Sequence, residues 1–193
     1  MADEDKDKDE AKPGDRVGEA LFKARTILIS GDINMKMAKE FVANILALAA
    51  EGDEDITLFI NSPGGHVEAG DTIHDMIKFV KPRVRIVGTG WVASAGAHIF
   101  LSVPKTDRFC LPNTRFLLHQ PSGGAGGFAT DIDIAAKEIL KMRERLNKVI
   151  SDATGQPMDK VEKDLDRDLW LSTEEAIEYG ILGTVVHSPD EIK

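Results

Sequence analysis

The sequence predicts an α/β protein in which helices cover a parallel sheet. Three observations carry that expectation. Short apolar runs rich in β-branched residues, TILIS (26–30), ITLFI (56–60) and VRIVG (84–88), recur along the chain. Between them lie segments whose apolar residues return at helical spacing. With 193 residues, 42% of them hydrophobic and 30% charged, the chain has the size and make-up of one globular domain around one core. Strand alternating with helix implies parallel pairing through right-handed crossovers.

Taken in order, the first fifteen residues, MADEDKDKDEAKPGD, hold seven acids and three lysines and lack the apolar residues a core needs. They are expected to form a disordered acidic tail, 1–15, ahead of a single domain, 16–193. The tail is neither a secretory signal nor a transit peptide, so a cytoplasmic address is expected. TILIS is the first strand. Met35 to Ala50 then places Met37, Phe41, Ile45 and Leu48 on one helical face, and ITLFI is the second strand. Ala69 to Val80 repeats the helical pattern with Ile73, Met76, Ile77 and Val80, and VRIVG begins a third strand expected to end at Gly90.

The run from Ile86 to Pro104 has no Asp, Glu, Lys or Arg. Four glycine or proline interruptions and the polar Thr89, Ser94, His98 and Ser102 make it a poor membrane span, so it is read as a buried strand and helix, Ser94 to Leu101 forming the helix. RFCLP and RFLLH follow as two further strands. PSGGAGG (121–127) has weak register and feeds a long helix from about Thr130 to Thr154. Ser172 and Glu175 have capping-box spacing and Gly180 suits a helix stop, which gives a short helix before a last strand, TVVH.

The formal net charge of −9 disfavours nucleic acid and anionic lipid as partners. The single cysteine, Cys110, excludes an intrachain disulfide and offers no partner for a cysteine-based zinc site.

A serine among apolar neighbours, Ser94, stands where the third strand gives way to a helix. Unpaired backbone N–H groups at such a junction favour negative charge, which the oxyanion of an acyl-transfer intermediate requires. Plain helix capping is the competing reading. A second glycine-rich turn, NSPGGHVEAG (61–70), follows the second strand in the same way, so the two loops should meet at one edge of the sheet. The N–H groups of Gly65 and Ala95 would then form an oxyanion hole. A phosphate cradle is the rival, but GG without a following GK[ST] is weak support.

Among the histidines, His187 lies near the chain end, His74 is expected on a solvated helix face, and His98 reads as a buried, hydrogen-bonded residue. His119, at a strand end, and His66, in the glycine loop, both remain open as the base, and spacing does not decide between them. Asp164, Asp166 and Asp168 lie in DLDRDLWLS, and Asp168, beside Leu169 and Trp170, is expected to be buried. The order Ser94, His119, Asp168 differs from the nucleophile-elbow order, and Val92 breaks the G-x-S-x-G pattern.

INSPGGHVEAG, GWVASAGA, RFCLPNTRFLLHQP, FATDIDIAAKEIL and DRDLWLSTEEAIEYGIL together resemble the proteolytic subunit of the Clp protease (the ClpP family), in family order and at family spacing, from about Thr26 to Val186. The resemblance implies an α/β spiral of β-β-α units of the ClpP/crotonase type, with a protruding handle helix near 130–154. It implies that Ser94 is the nucleophile, His119 the general base and acid, and Asp168 the carboxylate orienting the imidazole. The oxyanion donors would be the backbones of Gly65 and Ala95, and His66 loses its place.

It further implies a serine endopeptidase of two stacked heptameric rings that hydrolyses unfolded polypeptides. A hexameric AAA+ unfoldase of the ClpX or ClpA type would feed it, with a paralogous ClpP subunit as a further partner. No cofactor or metal is implied in this subunit, ATP being used by the unfoldase, and neither nucleic acid nor membrane is a partner. Asp166 and Arg167 resemble a charged pair that links ring contact to triad geometry. The charged amino terminus departs from the apolar start of the family, as do Trp91 and Ala95, where a smaller or polar residue and a methionine are expected. Two alternatives follow: a non-catalytic subunit of a mixed ring, and a crotonase-type acyl-CoA enzyme, which also uses backbone oxyanion donors but does not need a Ser–His–Asp set.

Overall fold

A computed structural model describes residues 13–192. Residues 1–12 of the expected tail lie outside the described residues, and Pro13 to Asp15 open a helix, α1 (Pro13–Lys23). Sequence periodicity did not reveal that helix, although proline at its first position suits a helix start. The chain continues through β1 (Thr26–Ser30), α2 (Met35–Glu51), β2 (Ile56–Ser62), α3 (Val67–Phe79), β3 (Val84–Ala93) and α4 (Ala95–Phe100). It proceeds through β4 (Arg108–Cys110), β5 (Arg115–Leu118), α5 (Ala129–Thr154), α6 (Met158–Asp164), β6 (Leu169–Leu171), α7 (Thr173–Tyr179) and β7 (Thr184–Val185). The short helix α6 was also unanticipated, and TVVH contributes only its first two residues to the last strand.

The strands run in the order β1-β2-β3-β4-β7, all parallel. In β2 alternation places Ile56, Leu58 and Ile60, all fully buried, on one face, each contributing about 2 kcal/mol through burial. Helices α2 and α3 lay their apolar stripes on the sheet, with Phe41, Ile45, Leu48, Ile73 and Ile77 buried. Their starts are set locally, as where Asn34 accepts the Met37 N–H at 3.0 Å to cap α2. The capping box of Ser172 and Glu175 and the left-handed Gly180 bound α7 as the sequence predicts.

The third strand does not end at Gly90 but runs on to Ala93, changing partners on the way. Ile86–Gly88 pair with β4, whereas Trp91–Ala93 pair with β5. Between them β2 and β3 slip in register, Ile60 facing Gly88 and Ser62 facing Val92. Gly90 takes φ +58 at this irregularity, and a Cβ there would sit 2.7 Å from the Asn61 side chain. Asn61 Oδ1 accepts the Trp91 N–H at 3.0 Å, so the interruption that looks like a strand end is a bulge held by one side chain. The fork it opens admits β5, and β5 in turn pairs antiparallel with β6. That single antiparallel pair departs from the all-parallel expectation.

The long helix α5 is anchored at its carboxyl end, where Asn147 and Ile150 are buried, while Ile132, Ile134 and Leu140 nearer its start are exposed. Buried Arg108 ties that end to its surroundings. Its guanidinium donates to the carbonyls of Val103 (2.7 Å), Ala153 (3.0 Å) and Gly180 (3.4 Å), collecting carbonyls left open at helix ends. Burial pushes its pKa down to about 10, which still leaves it charged at neutral pH. Arg108→Met should lower unfolding stability by roughly 3 kcal/mol in denaturant titrations, because several buried carbonyls lose their donor at once. A loss below about 0.5 kcal/mol, the level of an ordinary surface change, would contradict this role.

Candidate active site

The fork in β3 brings together residues far apart in the chain. Ser94 follows β3, His119 follows β5 and Asp168 precedes β6. Pairing of β3 with β5 and of β5 with β6 sets these three ends side by side. Ser94 is locked to β5 by its backbone, its N–H donating to the Leu117 carbonyl at 2.8 Å. His119 Nε2 lies 2.8 Å from Ser94 Oγ, and His119 Nδ1 lies 3.2 Å from Asp168 Oδ1. An imidazole between a hydroxyl and a carboxylate can take a proton from the first while the second holds its tautomer.

Asp168 differs from the expectation in one respect, because its carboxylate is 59% exposed. It stands just ahead of the edge strand β6, in which only Leu171 is buried and Trp170 is itself exposed. Asp166 is nearby in a different role: Gln120 donates to its backbone carbonyl at 2.8 Å, and Arg143 of α5 approaches its carboxylate at 3.7 Å. Arg167 is exposed.

Ser94 sits at φ +54, ψ −120, a conformation side-chain-bearing residues rarely adopt and that costs on the order of 1–3 kcal/mol. The turn lifts the hydroxyl clear of α4, and the serine makes no side-chain cap to that helix. Plain helix capping is therefore excluded. The glycine loop after β2 approaches the same turn. A Cβ on Gly64 would come within 2.5 Å of Ser94 Cβ and 3.1 Å of the Ala95 nitrogen. A Cβ on Gly65 would strike the Ile33 carbonyl at 2.2 Å. Ile33 grips this loop from both sides, donating to Gly64 O and accepting from the His66 N–H, each at 2.8 Å. Neither the Gly65 nor the Ala95 N–H is taken by a loop or turn hydrogen bond among the described residues.

The other histidines separate clearly. His66 turns to Glu68, Nδ1 to Oε2 3.2 Å, and does not meet Ser94. His74, expected on a solvated face, is buried, because α4 packs over that side of α3 and His98 stacks on its ring at 4.4 Å. Burial holds its pKa below the ordinary histidine value, with the Asp75 hydrogen bond opposing that shift. His98 is buried as expected, but its ring nitrogens form no well-aligned hydrogen bond. Cys110 is buried, and burial pushes its thiol up to about 11, which leaves it a poor nucleophile at neutral pH.

Beside Ser94 opens a small pocket, with about 40 Å³ of enclosed space, lined largely by apolar side chains that include Val67, Ala95, Leu118, Leu146 and Ile150. Among the described residues no helix is long and apolar enough to cross a membrane.

Known proteins resemble this chain along nearly its whole length. The family model described as Clp protease matches residues 9–189. The chain is 58% identical over 194 residues to the ATP-dependent Clp protease proteolytic subunit 3 of Rhizobium johnstonii, covering all of both chains. It is 52% identical to the ATP-dependent Clp protease proteolytic subunit of Paracoccus denitrificans, covering 92% of this chain and 89% of that one. The solved structure of ClpP1 from Listeria monocytogenes superposes with a TM-score of 0.84 at 50% identity, covering 92% of this chain and 99% of that one. A parallel sheet forked at its third strand and a family match spanning nearly the whole chain lead to one conclusion: the protein belongs to the Clp protease family.

Proposed function

We propose that this chain is the serine endopeptidase subunit of a Clp-type protease and that Ser94, His119 and Asp168 carry its chemistry. The observation that supports this most is the continuous contact from Ser94 Oγ to His119 Nε2 and from His119 Nδ1 to Asp168. In the proposed reaction His119 takes the Ser94 proton as Oγ attacks the substrate carbonyl. The oxyanion is held by the N–H groups of Gly65 and Ala95, which the turn at Ser94 and the grip of Ile33 keep free and fixed. His119 then returns the proton to the leaving amine, releasing the first product and leaving an acyl-enzyme on Ser94. Water, deprotonated by His119, hydrolyses the ester. Asp168 accepts from Nδ1–H throughout and stabilises the imidazolium. These steps use only the chain's own side chains and backbone.

An extended polypeptide is the substrate that suits the site. Gly64 and Gly65 allow close backbone approach, and the apolar pocket beside Ser94 would receive the side chain on the acyl side of the cleaved bond. The proposal extends to the assembly: two stacked heptameric rings with α5 as the handle between them, and an AAA+ unfoldase delivering unfolded chains. The exposed Ile132, Ile134 and Leu140 on α5 support a helix that packs on another subunit. A cytoplasmic setting fits such an assembly.

The test is chemical. A fluorophosphonate probe should label Ser94, and Ser94→Ala should lower short-peptide hydrolysis by at least about 10⁴-fold while assembly is unchanged. An assembled wild type that is neither labelled nor active would instead support the non-catalytic reading. Gly64→Ala should lower kcat/KM by about 100-fold, because the added Cβ displaces Ser94 and the Ala95 N–H. Activity within about 2-fold of wild type would show that the glycine loop does not bear on the reaction.

A further inference from the structure

An ionic cluster that runs from buried His98 through half-buried Asp71 to exposed Arg145 lies behind the wall of the pocket beside Ser94 and takes no part in the proposed chemistry. Asp71 of α3 receives both arms of Arg145 of α5, Nη1 to Oδ1 at 2.7 Å and Nη2 to Oδ2 at 2.6 Å. The same carboxylate faces His98 of α4, with Oδ1 3.0 Å from Nε2. His98 belongs to the turn that begins at Ser94, its backbone N–H donating to the Ser94 carbonyl at 3.0 Å. Its ring lines the pocket with Ser94 and His119.

The groups around His98 are the carboxylate of Asp71, the stacked ring of His74 with Asp75 on its Nδ1 at 2.9 Å, and His119 across the pocket. Lys78 on α3 acts on His74, and Glu68 and Asp75 act on Arg145. One residue before Asp71, a Cβ on Gly70 would meet the Ala95 methyl at 3.2 Å, so α3 and α4 are in close contact where the cluster begins.

Stability alone does not account for such a cluster, since an ion pair whose Arg145 end is half exposed contributes little by itself. Burial opposes the charge on Asp71, yet the close approach of His98 and the bidentate hydrogen bonds from Arg145 hold its pKa well below the usual carboxylate range. The carboxylate is therefore a fixed anion bridging three helices. The His98 approach is close but off the line of a hydrogen bond, which makes it an electrostatic contact sensitive to small rotations of α4.

We infer that Asp71 is a positioning residue: acting through His98, it fixes the helix that begins at Ser94 and Ala95 relative to Arg145 on the handle helix. This rests on the serine-peptidase reading above. A rotation of α4 re-aims the Ala95 N–H and shifts Ser94 against His119, and misplacement of about 1 Å costs about 100-fold in rate. The contact thus gives α5 a mechanical hold on the oxyanion donor.

The experiment uses the assembled full chain and compares wild type, Asp71→Asn, His98→Phe and the double variant. For each, kcat and KM on a short fluorogenic peptide and the rate of fluorophosphonate labelling are measured beside sedimentation and thermal midpoint. Asp71→Asn should lower kcat and labelling rate together by about 10-fold, with KM within about 2-fold. In the His98→Phe background the same change should have little further effect, the non-additivity expected of residues acting as one unit. Asp71→Glu, which keeps the charge, should recover part of the loss.

Wild-type kinetics in Asp71→Asn, or equal losses with and without His98, would overturn the inference. So would a loss explained entirely by dissociated rings or a lowered thermal midpoint. Should Asp71→Asn fail to assemble, Arg145→Gln on the outer side of the bridge carries the same test, and wild-type kcat there would overturn it. A wild type that is neither labelled nor active would sink the peptidase reading itself, whereas a labelled, active wild type matched by Asp71→Asn would sink only this inference.

Discussion

The site depends on one backbone turn. Ser94 holds φ +54 between a strand and a helix that are both buried, and its N–H is pinned to Leu117. A strained residue persists only where its surroundings overdetermine it. Here β5 holds the turn from one side and the glycine loop closes on it from the other, with no room for a Cβ at Gly64. Every other element of the site is arranged around that point. The bulge at Asn61 and Gly90 lets β3 fork, the fork admits β5, β5 carries His119, and β6 brings Asp168 alongside.

The two ionic arrangements near the turn sit in contrasting environments. Asp168 is largely exposed, so its contact with His119 contributes chiefly orientation and little stability. Asp71, more enclosed and held bidentately by Arg145, can restrain whole helices because its geometry is fixed on both oxygens. In the proposed mechanism one carboxylate orients a ring and the other braces the helix that carries the hydroxyl. The long helix α5 takes part in the second and not in the first, so movement of that helix would reach the oxyanion donor before it reached the imidazole.

Much of this was legible in the sequence, for physical reasons that differ by element. Strands β1, β2 and the start of β3, and helices α2 and α3, were readable because burial imposes a period on their apolar residues. Ser94, Gly65 and Ala95 were readable as a set because two glycine-bearing turns followed two parallel strands. The choice of His119 over His66 was not, since it depends on which strand pairs with the fork, and it came only with the family resemblance. Gly90 misled because a bulge and a strand end share the same residue chemistry, and only Asn61, thirty residues from Trp91, separates them. Burial of His74 and exposure of Asp168 were misjudged alike, since neighbours in sequence do not report which element packs above a residue. The Asp71, His98 and Arg145 cluster unites three separate helices and left no local pattern to find.

The central claim is that Ser94 forms a covalent acyl intermediate under the control of His119. Stopped-flow mixing of the full chain with a short peptide p-nitrophenyl ester measures that event directly. The account predicts a burst of about one nitrophenolate per chain, followed by slower turnover, with the trapped acyl mass on the Ile86–Lys105 tryptic peptide that contains Ser94. Linear release with no burst and no trapped adduct, or an adduct carried by another residue, would contradict it.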